Sequence, residues 1–333
     1  MQGLTKLAPG PGHVALSDRL EPRAGPGQVV VAVAGTGICG TDLHIQDGEY
    51  PSVPPVTMGH EVSGVVVELG EGVEEAWAGA SVVTETYFST CGACELCRAG
   101  RVNLCPARRS IGTHVDGGFA PLLLVPARNL HRVPGWLDAH TAALSEPLAC
   151  VCHSLLDPPA VVAGDTVLVV GPGPIGLLAA QVARTCGGRV HVRGAPRDEP
   201  RLAAARSLGF ETSSAGEESD LGPFDVAVEC SGNQAGMAFA LESARRGGRY
   251  VQIGLAGKPV SVPLDEVCFR ELTVTSGFAS TPRSWQRALD LVEERAVTLE
   301  ALVSEVAPLA DWERAFAATR AAEGIKFVLD PRA

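Results

Sequence analysis

Four cysteines lie close together in one short segment of the 333-residue chain, with the spacing C-x2-C-x2-C-x7-C. Thiolates a few residues apart on a turning loop can converge on one tetrahedral Zn²⁺, each about 2.3 Å from the metal. Because protein would fill all four positions, we predict a structural zinc. An iron–sulfur cluster also uses four cysteines, but this spacing matches neither common ferredoxin pattern. The four residues are Cys91, Cys94, Cys97 and Cys105.

A second set of metal-binding side chains lies upstream of this segment. Cys39 follows Gly37-Ile38, and His60 and Glu61 follow Gly59. Thiolate, imidazole and carboxylate are the side chains that bind zinc, and three protein ligands leave one position for water or substrate. Each residue alone has an ordinary alternative, since a buried Cys is usually a packing residue and His beside Glu is usually a surface pair. In combination with the other motifs, the set predicts a catalytic zinc site.

A glycine-rich turn follows an apolar run at 166–170 and opens an apolar helical stretch at 175–186. Its glycines allow a tight turn and let a pyrophosphate approach the helix N-terminus, where free N–H groups and the helix dipole favour anions. The pattern G-x-G-x-x-G between strand and helix therefore predicts a dinucleotide-binding turn. Its residues are Gly171, Gly173, Pro174, Ile175 and Gly176.

The position that distinguishes NAD from NADP comes about 20 residues after this turn. An acidic residue there would bind the ribose 2′-hydroxyl of NAD, but this chain has Gly194, with Arg193 and Arg197 beside it. A 2′-phosphate needs room and a cation, so the segment favours NADP. NAD stays possible if the two arginines are ordinary solvated charges and Asp198 or Glu199 takes the acidic role.

Composition excludes several classes of protein. The net charge is −11 and no basic run occurs, which argues against a nucleic-acid or anionic-membrane partner. Apolar residues make up 46% of the chain, as in globular proteins rather than disordered ones. We find no membrane-spanning segment and no signal peptide, so we expect a cytoplasmic protein. In that reducing compartment we expect its ten cysteines to be metal ligands or buried thiols rather than disulfides.

The order of predicted elements indicates an α/β protein with two domains. Short β-branched runs with glycine-rich turns fill the first third, which predicts a β-rich region. From about residue 160, strands and helices alternate as a doubly wound parallel sheet requires. The motifs fall on both regions, with the metal-binding residues in the first and the dinucleotide turn in the second.

The combined motifs resemble the zinc-dependent medium-chain alcohol dehydrogenase superfamily over essentially the whole chain. A Cys-Gly-Thr-Asp turn precedes G-H-E-x2-G-x5-G, and the four-cysteine loop and the dinucleotide turn follow in the expected order. The resemblance is closest to the polyol (sorbitol) and threonine dehydrogenase branch, where Glu-Pro stands in place of a third cysteine. It implies a GroES-like catalytic domain at 1–150 and 277–333, and a Rossmann cofactor domain at 151–276.

The resemblance also implies roles for single residues around the open metal site. Glu146, in Ser-Glu-Pro-Leu, would be a zinc ligand or would hold a zinc-bound water. Thr41 would be the hydroxyl that takes the substrate proton, and His44 would be the outer end of the proton relay. Asp42 would be the carboxylate behind His60.

Three further positions are implied as cofactor contacts. Cys230 and Gly254 end successive predicted parallel strands, where open α/β sheets bind ligands. Lys326, before the last strand, resembles the basic residue that reaches the cofactor pyrophosphate.

The implied activity is hydride transfer between a secondary alcohol, polyol-like or a related hydroxy compound, and NAD(P), by a homodimer or homotetramer. One alternative is a zinc-free enone or quinone reductase, and another is a catalytically silent cofactor-binding protein with a structural zinc only. The substrate pocket is expected to draw on five apolar or aromatic residues, namely Ile45, Tyr50, Phe88, Phe119 and Phe278.

Overall fold

The computed structural model describes residues 1–217 and 221–333. Its strands are β1 (Gln2–Lys6), β2 (Val14–Asp18), β3 (Gln28–Gly37), β4 (Val56–Thr57), β5 (Glu61–Leu69), β6 (Ser81–Thr84), β7 (Tyr87–Ser89), β8 (Arg109–Ser110), β9 (Leu122–Pro126), β10 (Leu130–Arg132), β11 (Thr166–Val170), β12 (Arg189–Gly194), β13 (Glu211–Ser214), β14 (Phe224–Glu229), β15 (Ala244–Gln252), β16 (Thr273–Ser276), β17 (Val303–Pro308) and β18 (Lys326–Asp330).

The α-helices of the described ranges are short. They are α1 (Gly40–Gln46), α2 (Glu95–Arg98), α3 (Ala139–Ala142), α4 (Ser145–Leu156), α5 (Pro174–Thr185), α6 (Glu199–Ser207), α7 (Gln234–Ser243), α8 (Asp265–Phe269), α9 (Pro282–Glu293) and α10 (Trp312–Ala321). None of these helices has the length and apolar character that crossing a membrane requires.

The chain divides into two compact units. Unit 1 comprises 1–146, 303–321 and 326–333, and unit 2 comprises 147–302 and 322–325. The sequence expectation assigned residues from 277 onward to the catalytic domain, whereas the structure places 277–302 in unit 2. The physical reason is close packing within that unit: Gly277 lies against Ser154, and the Thr298 N–H donates a 2.7 Å hydrogen bond to Gln181.

Unit 1 is built on a mostly antiparallel sheet in the order β10-β6-β5-β3-β18-β17, with β9 also paired to β3. Along β3 the alternate residues Val29, Val31 and Val33 face one hydrophobic cluster, as the two-residue period of a strand requires. The register pairs Gly37 at the end of β3 with Glu61 at the start of β5. This pairing brings the segments that carry Cys39 and His60 together.

Unit 2 is built on a six-stranded parallel sheet in the order β13-β12-β11-β14-β15-β16. The first of these strands, β11, lies in the middle of the sheet. β12 and β13 follow on one side and β14, β15 and β16 on the other, which is the doubly wound Rossmann arrangement. The central strand β11 is an almost continuous apolar run, as expected for a strand covered by helices on both faces. The predicted fold class is confirmed for both parts of the chain.

Candidate metal and cofactor sites

The four sulfurs of the cysteine loop have the spacing of a tetrahedral metal site. Cys91 Sγ lies 3.6 Å from Cys105 Sγ and 3.9 Å from Cys97 Sγ, and the four ligand atoms, with that of Cys94, lie within 4.8 Å of one another. Sulfurs about 2.3 Å from a tetrahedral zinc lie about 3.8 Å apart. Backbone N–H groups of Ala93 and Cys94 lower the pKa of Cys91 to about 6, which favours the thiolate that binds metal. The donor set fits a structural zinc.

The local backbone explains how this loop brings its sulfurs together. Gly92 and Gly100 both have left-handed φ angles, +65° and +73°, so the chain turns sharply at each side of α2. The Cys94 sulfur caps α2 by accepting a hydrogen bond from the Cys97 N–H. A loop held by two turns and one helical turn needs few distant contacts, which is why its spacing alone predicted it.

The open metal site lies where β3 ends and β5 begins. The ligand atoms of Cys39, His60 and Glu61 lie within 4.8 Å of one another. Gly37 makes room for the carboxylate, because a Cβ there would lie 2.1 Å from Glu61 Oε2. Gly59 has a φ of +89° and packs so tightly that a Cβ would lie 2.8 Å from the Phe119 ring. These constraints hold the three donors together in a geometry that fits a zinc ion.

Asp42 lies behind His60, as the resemblance implied. Its Oδ2 accepts a 2.9 Å hydrogen bond from the Cys39 N–H, and its Oδ1 lies 3.7 Å from His60 Nδ1. Burial would lower the pKa of His60, but the charges of Asp42, Cys39 and Glu146 outweigh burial and raise it well above its usual value. Burial raises the pKa of Asp42. With Nδ1 facing Asp42, the other ring nitrogen is the one available to a metal.

Glu61 is paired with a cation that the sequence did not predict for this site. The Lys326 ammonium donates hydrogen bonds of 2.7 and 2.8 Å to the two carboxylate oxygens of Glu61, and one of 3.0 Å to the Ile38 carbonyl. The expectation placed Lys326 on the cofactor pyrophosphate, whereas the structure buries its ammonium beside the candidate metal ligand Glu61. A carboxylate has about four acceptor positions, so Glu61 can still bind a metal while Lys326 holds it.

Glu146 lies in the first turn of α4 and is buried. Its negative charge contributes to raising the pKa of both His60 and Lys326, so it is electrostatically part of the open site. The three convergent donors are nevertheless Cys39, His60 and Glu61. This arrangement agrees with either role expected for Glu146, as a further ligand or as the residue that holds a water.

Thr41 and His44 lie three residues apart on α1, and both are partly exposed. Residues with this spacing are neighbours on one helix face. Asp42 and Ile45 on the same helix are buried, so the helix turns one side to the core and another to solvent. The His44 Nδ1 lies 2.7 Å from Glu49 Oε2, a contact that the sequence did not predict.

The dinucleotide turn of unit 2 uses its glycines in three different ways. Gly171 has a φ of +99° and lies against Ser231, where a Cβ would meet backbone atoms at 2.7 Å. Gly176 packs α5 on the strand, since a Cβ would lie 1.8 Å from the Gly171 carbonyl oxygen. The Cβ position of Gly173 has nothing closer than 3.9 Å, and Pro174 then starts α5. This cradle at a helix N-terminus fits a pyrophosphate.

Three charged residues at or just after the end of β12, where the cofactor ribose is expected, already have partners within the chain. Asp198 accepts a 2.9 Å hydrogen bond from the Ala195 N–H, so its carboxylate caps its own turn. Glu199 forms an exposed ion pair with Arg206. Arg193 stacks over the Phe239 ring at 4.3 Å and donates to the Ser213 hydroxyl at 3.1 Å.

Arg197 differs from Arg193 in its surroundings. It is exposed and has no ion pair within the part of the chain that the structure describes. Beside it, Gly194 leaves little room for a larger residue, because a Cβ would lie 3.0 Å from Pro172. Of the two arginines, Arg197 is therefore the cation more available to a 2′-phosphate.

Cys230 and Gly254 follow the neighbouring strands β14 and β15, as expected. A Cβ at Gly254 would lie 2.4 Å from the Gly232 nitrogen, so the two strand ends pack backbone to backbone. Burial and the charge of Glu229 raise the pKa of Cys230, which favours the protonated thiol. No sequence motif indicated Glu229, whose buried carboxylate accepts hydrogen bonds from the N–H groups of Ser231 and Gly232.

Two of the expected pocket residues are in the core instead. Ile45 and Phe119 are fully buried in one hydrophobic cluster of unit 1, and Tyr50 packs against that cluster. Phe88 packs on the other cluster of unit 1, while Phe278 is exposed in unit 2. Aromatic character alone did not separate core residues from surface residues, because both environments accept large apolar side chains.

Comparison with known families gives the same two-part organisation of the chain. Residues 25–135 match the family described as the alcohol dehydrogenase GroES-like domain, and residues 174–294 match the zinc-binding dehydrogenase family. The chain is 37% identical to sorbitol dehydrogenase of Halalkalibacterium halodurans, with 99% of each chain covered. It is 34% identical to D-arabitol-phosphate dehydrogenase of Enterococcus avium, covering 99% of this chain and 97% of the relative.

Solved structures of other dehydrogenases also resemble the chain over almost its whole length. A zinc-binding dehydrogenase of Sinorhizobium meliloti bound to NADP is 34% identical and superimposes with a TM-score of 0.90 over 99% of each chain. The 2R,3R-butanediol dehydrogenase of Bacillus subtilis is 27% identical, with a TM-score of 0.87 over 99% of each chain.

The Rossmann unit and the open metal site define a zinc-dependent oxidoreductase that transfers a hydride between a secondary alcohol and NAD(P). The chain belongs to the zinc-dependent medium-chain alcohol dehydrogenase superfamily, in the branch of the polyol and threonine dehydrogenases. The expected zinc and nicotinamide cofactors are confirmed at the level of the family.

Proposed function

We propose that this enzyme oxidises a polyol, or a related compound with neighbouring hydroxyl groups, at a secondary carbon, and that it catalyses the reverse reduction of the ketone. The observation that carries the proposal is the convergence of Cys39, His60 and Glu61 beside the short helix with Thr41 and His44. The names of similar proteins, which include a sorbitol and an arabitol-phosphate dehydrogenase, support the polyol class.

The residues present fit the chemistry that the reaction needs. A zinc ion held by Cys39, His60 and Glu61, with Glu146 as a further ligand or through water, would supply Lewis-acid stabilisation of negative charge on the substrate oxygen. Asp42 fixes the orientation of the His60 ring from behind. Lys326 keeps the Glu61 carboxylate in place.

The chain's own residues provide a route for the proton that the alcohol loses. Thr41 can accept the proton from the substrate hydroxyl and pass its own hydroxyl proton to His44. His44 is 26% exposed through its side chain, so it can release the proton to water. A threonine hydroxyl followed by a partly exposed imidazole is suited to this task, because an imidazole can accept a proton on one ring nitrogen and release it to water.

We propose NADP as the favoured cofactor, with NAD as the alternative. The support is the exposed Arg197 beside Gly194, together with the capping role of Asp198, which removes that carboxylate from competition. The turn residues Gly171, Gly173, Pro174, Ile175 and Gly176, and the strand ends at Cys230 and Gly254, would hold the rest of the cofactor. Arg193 would support the ribose from the Ser213 side.

The alternative activities make different demands on the metal. A zinc-free enone reductase does not require the three convergent metal-binding side chains. A silent cofactor-binding protein requires only the zinc of the cysteine loop. Two zinc ions per chain support the proposal, whereas one zinc confined to the four-cysteine loop contradicts it. The ligand spacing of both sites favours two.

The function is tested by a screen of polyols, amino alcohols and the matching ketones with NADP and NAD, combined with metal analysis. We expect His60→Ala to lose one zinc per chain and to reduce kcat by about 10³-fold, because metal stabilisation contributes several kcal/mol to the barrier. His131→Ala is the control, since His131 pairs with Glu85 at 3.1 Å elsewhere in unit 1. Full activity of His60→Ala, or no turnover of any hydroxy compound, would refute the proposal.

We also propose a cytoplasmic homodimer or homotetramer. None of the ten cysteines forms a disulfide in the structure, which suits a reducing compartment. The resemblance to oligomeric dehydrogenases supports self-association. Sedimentation at several protein concentrations measures the state of assembly, and a monomer at micromolar concentration would contradict it.

A further inference from the structure

The segment after α1 folds back onto His44. The N–H groups of Glu49 and Tyr50 both donate hydrogen bonds to the His44 carbonyl, at 2.8 and 3.2 Å. Gly48, just before Glu49, has a φ of +75°, and a Cβ there would lie 2.7 Å from the carbonyl carbon of Gly10. The turn therefore needs glycine at this point, and it returns Glu49 to the residue that the relay uses.

Contacts on both sides hold this turn in place. Arg320 on α10 donates to both carboxylate oxygens of Asp47, at 2.7 and 2.9 Å, and also to the Gln46 side chain. The buried Lys6 ammonium donates a 3.3 Å hydrogen bond to the Gln46 carbonyl. The backbone that leads to Glu49 is thus anchored, which limits where its 42% exposed side chain can reach.

The side chains of the turn then meet at one atom pair. Glu49 Oε2 lies 2.7 Å from His44 Nδ1, within the range of a charge-assisted hydrogen bond. An ionised carboxylate only accepts, so Nδ1 carries the proton in this contact. The neutral ring then has its free lone pair on Nε2, and the tautomer of His44 is set.

We propose that Glu49 is a positioning residue for the proton relay: it fixes the ring and tautomer of His44 so that Nε2 accepts the proton from Thr41. This inference rests on the relay in the proposed function. The proton balance is simple, because the Nδ1 proton stays on His44, hydrogen-bonded to the Glu49 carboxylate, throughout. Nε2 gains one proton from the threonine hydroxyl and later gives one proton to water.

The experiment compares Glu49→Ala, Glu49→Gln and His44→Ala in alcohol oxidation at saturating alcohol and cofactor. We expect Glu49→Ala to lower kcat about tenfold, the size of effect seen when the partner of a functional histidine is removed. KM for the alcohol and the zinc content should stay within twofold. Glu49→Gln should recover at least half of the lost activity, because its amide oxygen can still accept from Nδ1.

A second readout separates positioning from folding. A sterically hindered base such as 2,6-lutidine, which binds zinc poorly, should raise kcat of Glu49→Ala and of His44→Ala at least threefold when added to the assay, because a dissolved base replaces the misplaced ring. It should leave the wild type unchanged. Asp330→Ala is the matched control, since Asp330 accepts from another partly exposed histidine of unit 1, His140, at 3.1 Å. It should keep kcat within twofold and show no rescue.

The outcomes test the role of Glu49 separately from the proposed proton relay on which it rests. If His44→Ala retains the wild-type kcat, the relay itself is wrong. If His44→Ala is impaired but Glu49→Ala is not, the relay stands and the role of Glu49 is refuted. Loss of zinc in Glu49→Ala, or an equal loss of activity in Asp330→Ala, would also overturn the role, because the effect would then be structural.

Discussion

The ammonium of Lys326 and the carboxylate of Glu61 form a buried ion pair at the candidate catalytic metal site. The nitrogen lies 2.7 and 2.8 Å from the two oxygens, and the side chains are only 4% and 1% exposed. Burial alone would lower the pKa of Lys326, but the charges of Glu61, Cys39 and Glu146 together outweigh burial and raise it. The pair ties β18, near the end of the chain, to β5, which begins with Glu61, a candidate metal ligand.

Replacement of one partner of this ion pair should lower the free energy of unfolding far more than replacement of both. We expect Lys326→Met to lower the free energy of unfolding by about 3 kcal/mol, because Glu61 is left buried without its cation. The double variant Lys326→Met/Glu61→Gln should recover at least half of this loss. Denaturant unfolding of the metal-free proteins measures the coupling. Additive effects of the two substitutions would show that the contact is not a coupled pair.

The four-cysteine loop should depend on its metal for local structure. We expect Cys97→Ser to lose one zinc per chain and to become at least about tenfold more sensitive to protease cleavage between residues 91 and 105, since structural zinc sites fold with their metal. Mass spectrometry of the fragments locates the cut. Cys268→Ser is the control, because Cys268 is an exposed thiol outside both metal clusters. Unchanged zinc content in Cys97→Ser would contradict the assignment.

Cofactor choice should depend on Arg197. We expect Arg197→Ala to raise KM for NADP about tenfold and to leave KM for NAD within twofold, because only NADP carries the 2′-phosphate that the guanidinium would bind. Arg206→Ala removes another exposed arginine of unit 2, one already paired with Glu199, and should change neither value. Equal effects on both cofactors, or a wild-type preference for NAD above tenfold, would refute the NADP assignment.

The stability of the protein at acid pH should depend on Asp225, which joins three strands of unit 2. Its Oδ2 accepts 2.9 and 2.8 Å hydrogen bonds from the N–H and hydroxyl of Thr166, and its Oδ1 accepts a 2.6 Å bond from Arg245. These bonds hold the pKa of Asp225 well below its usual range. A lowered carboxyl pKa means that the stabilisation is complete above the unfolded pKa of about 4 and is lost as the pH falls below it.

We therefore expect Asp225→Asn to destabilise the protein by about 1 kcal/mol at pH 7, a modest value because the side chain is 26% exposed. The difference from wild type should shrink as the pH falls from 5 to 3. Thermal unfolding across this range measures it. Asp311→Asn, which removes an exposed carboxylate, should follow the wild type at every pH. A constant difference between Asp225→Asn and wild type would contradict the linkage.

The fold class and the motif residues could be read from the sequence because their determinants are local. The four-cysteine loop needs two glycine turns and one helical turn, and the dinucleotide turn needs three glycines between a strand and a helix. Alternation of strand and helix then indicated the parallel sheet. Each of these patterns is complete within a few tens of residues, so no distant contact was required to recognise it.

Only the tertiary structure decided which partners the charged residues take. Lys326 and Glu61 are 265 positions apart, and only the pairing of β18 with β3, and of β3 with β5, brings them together. Asp198 could have faced the ribose but caps its own turn, and Ile45 and Phe119 entered the core. Residue type states what a side chain can do, whereas burial and long-range pairing choose among its possible partners, and that choice is a property of the folded chain.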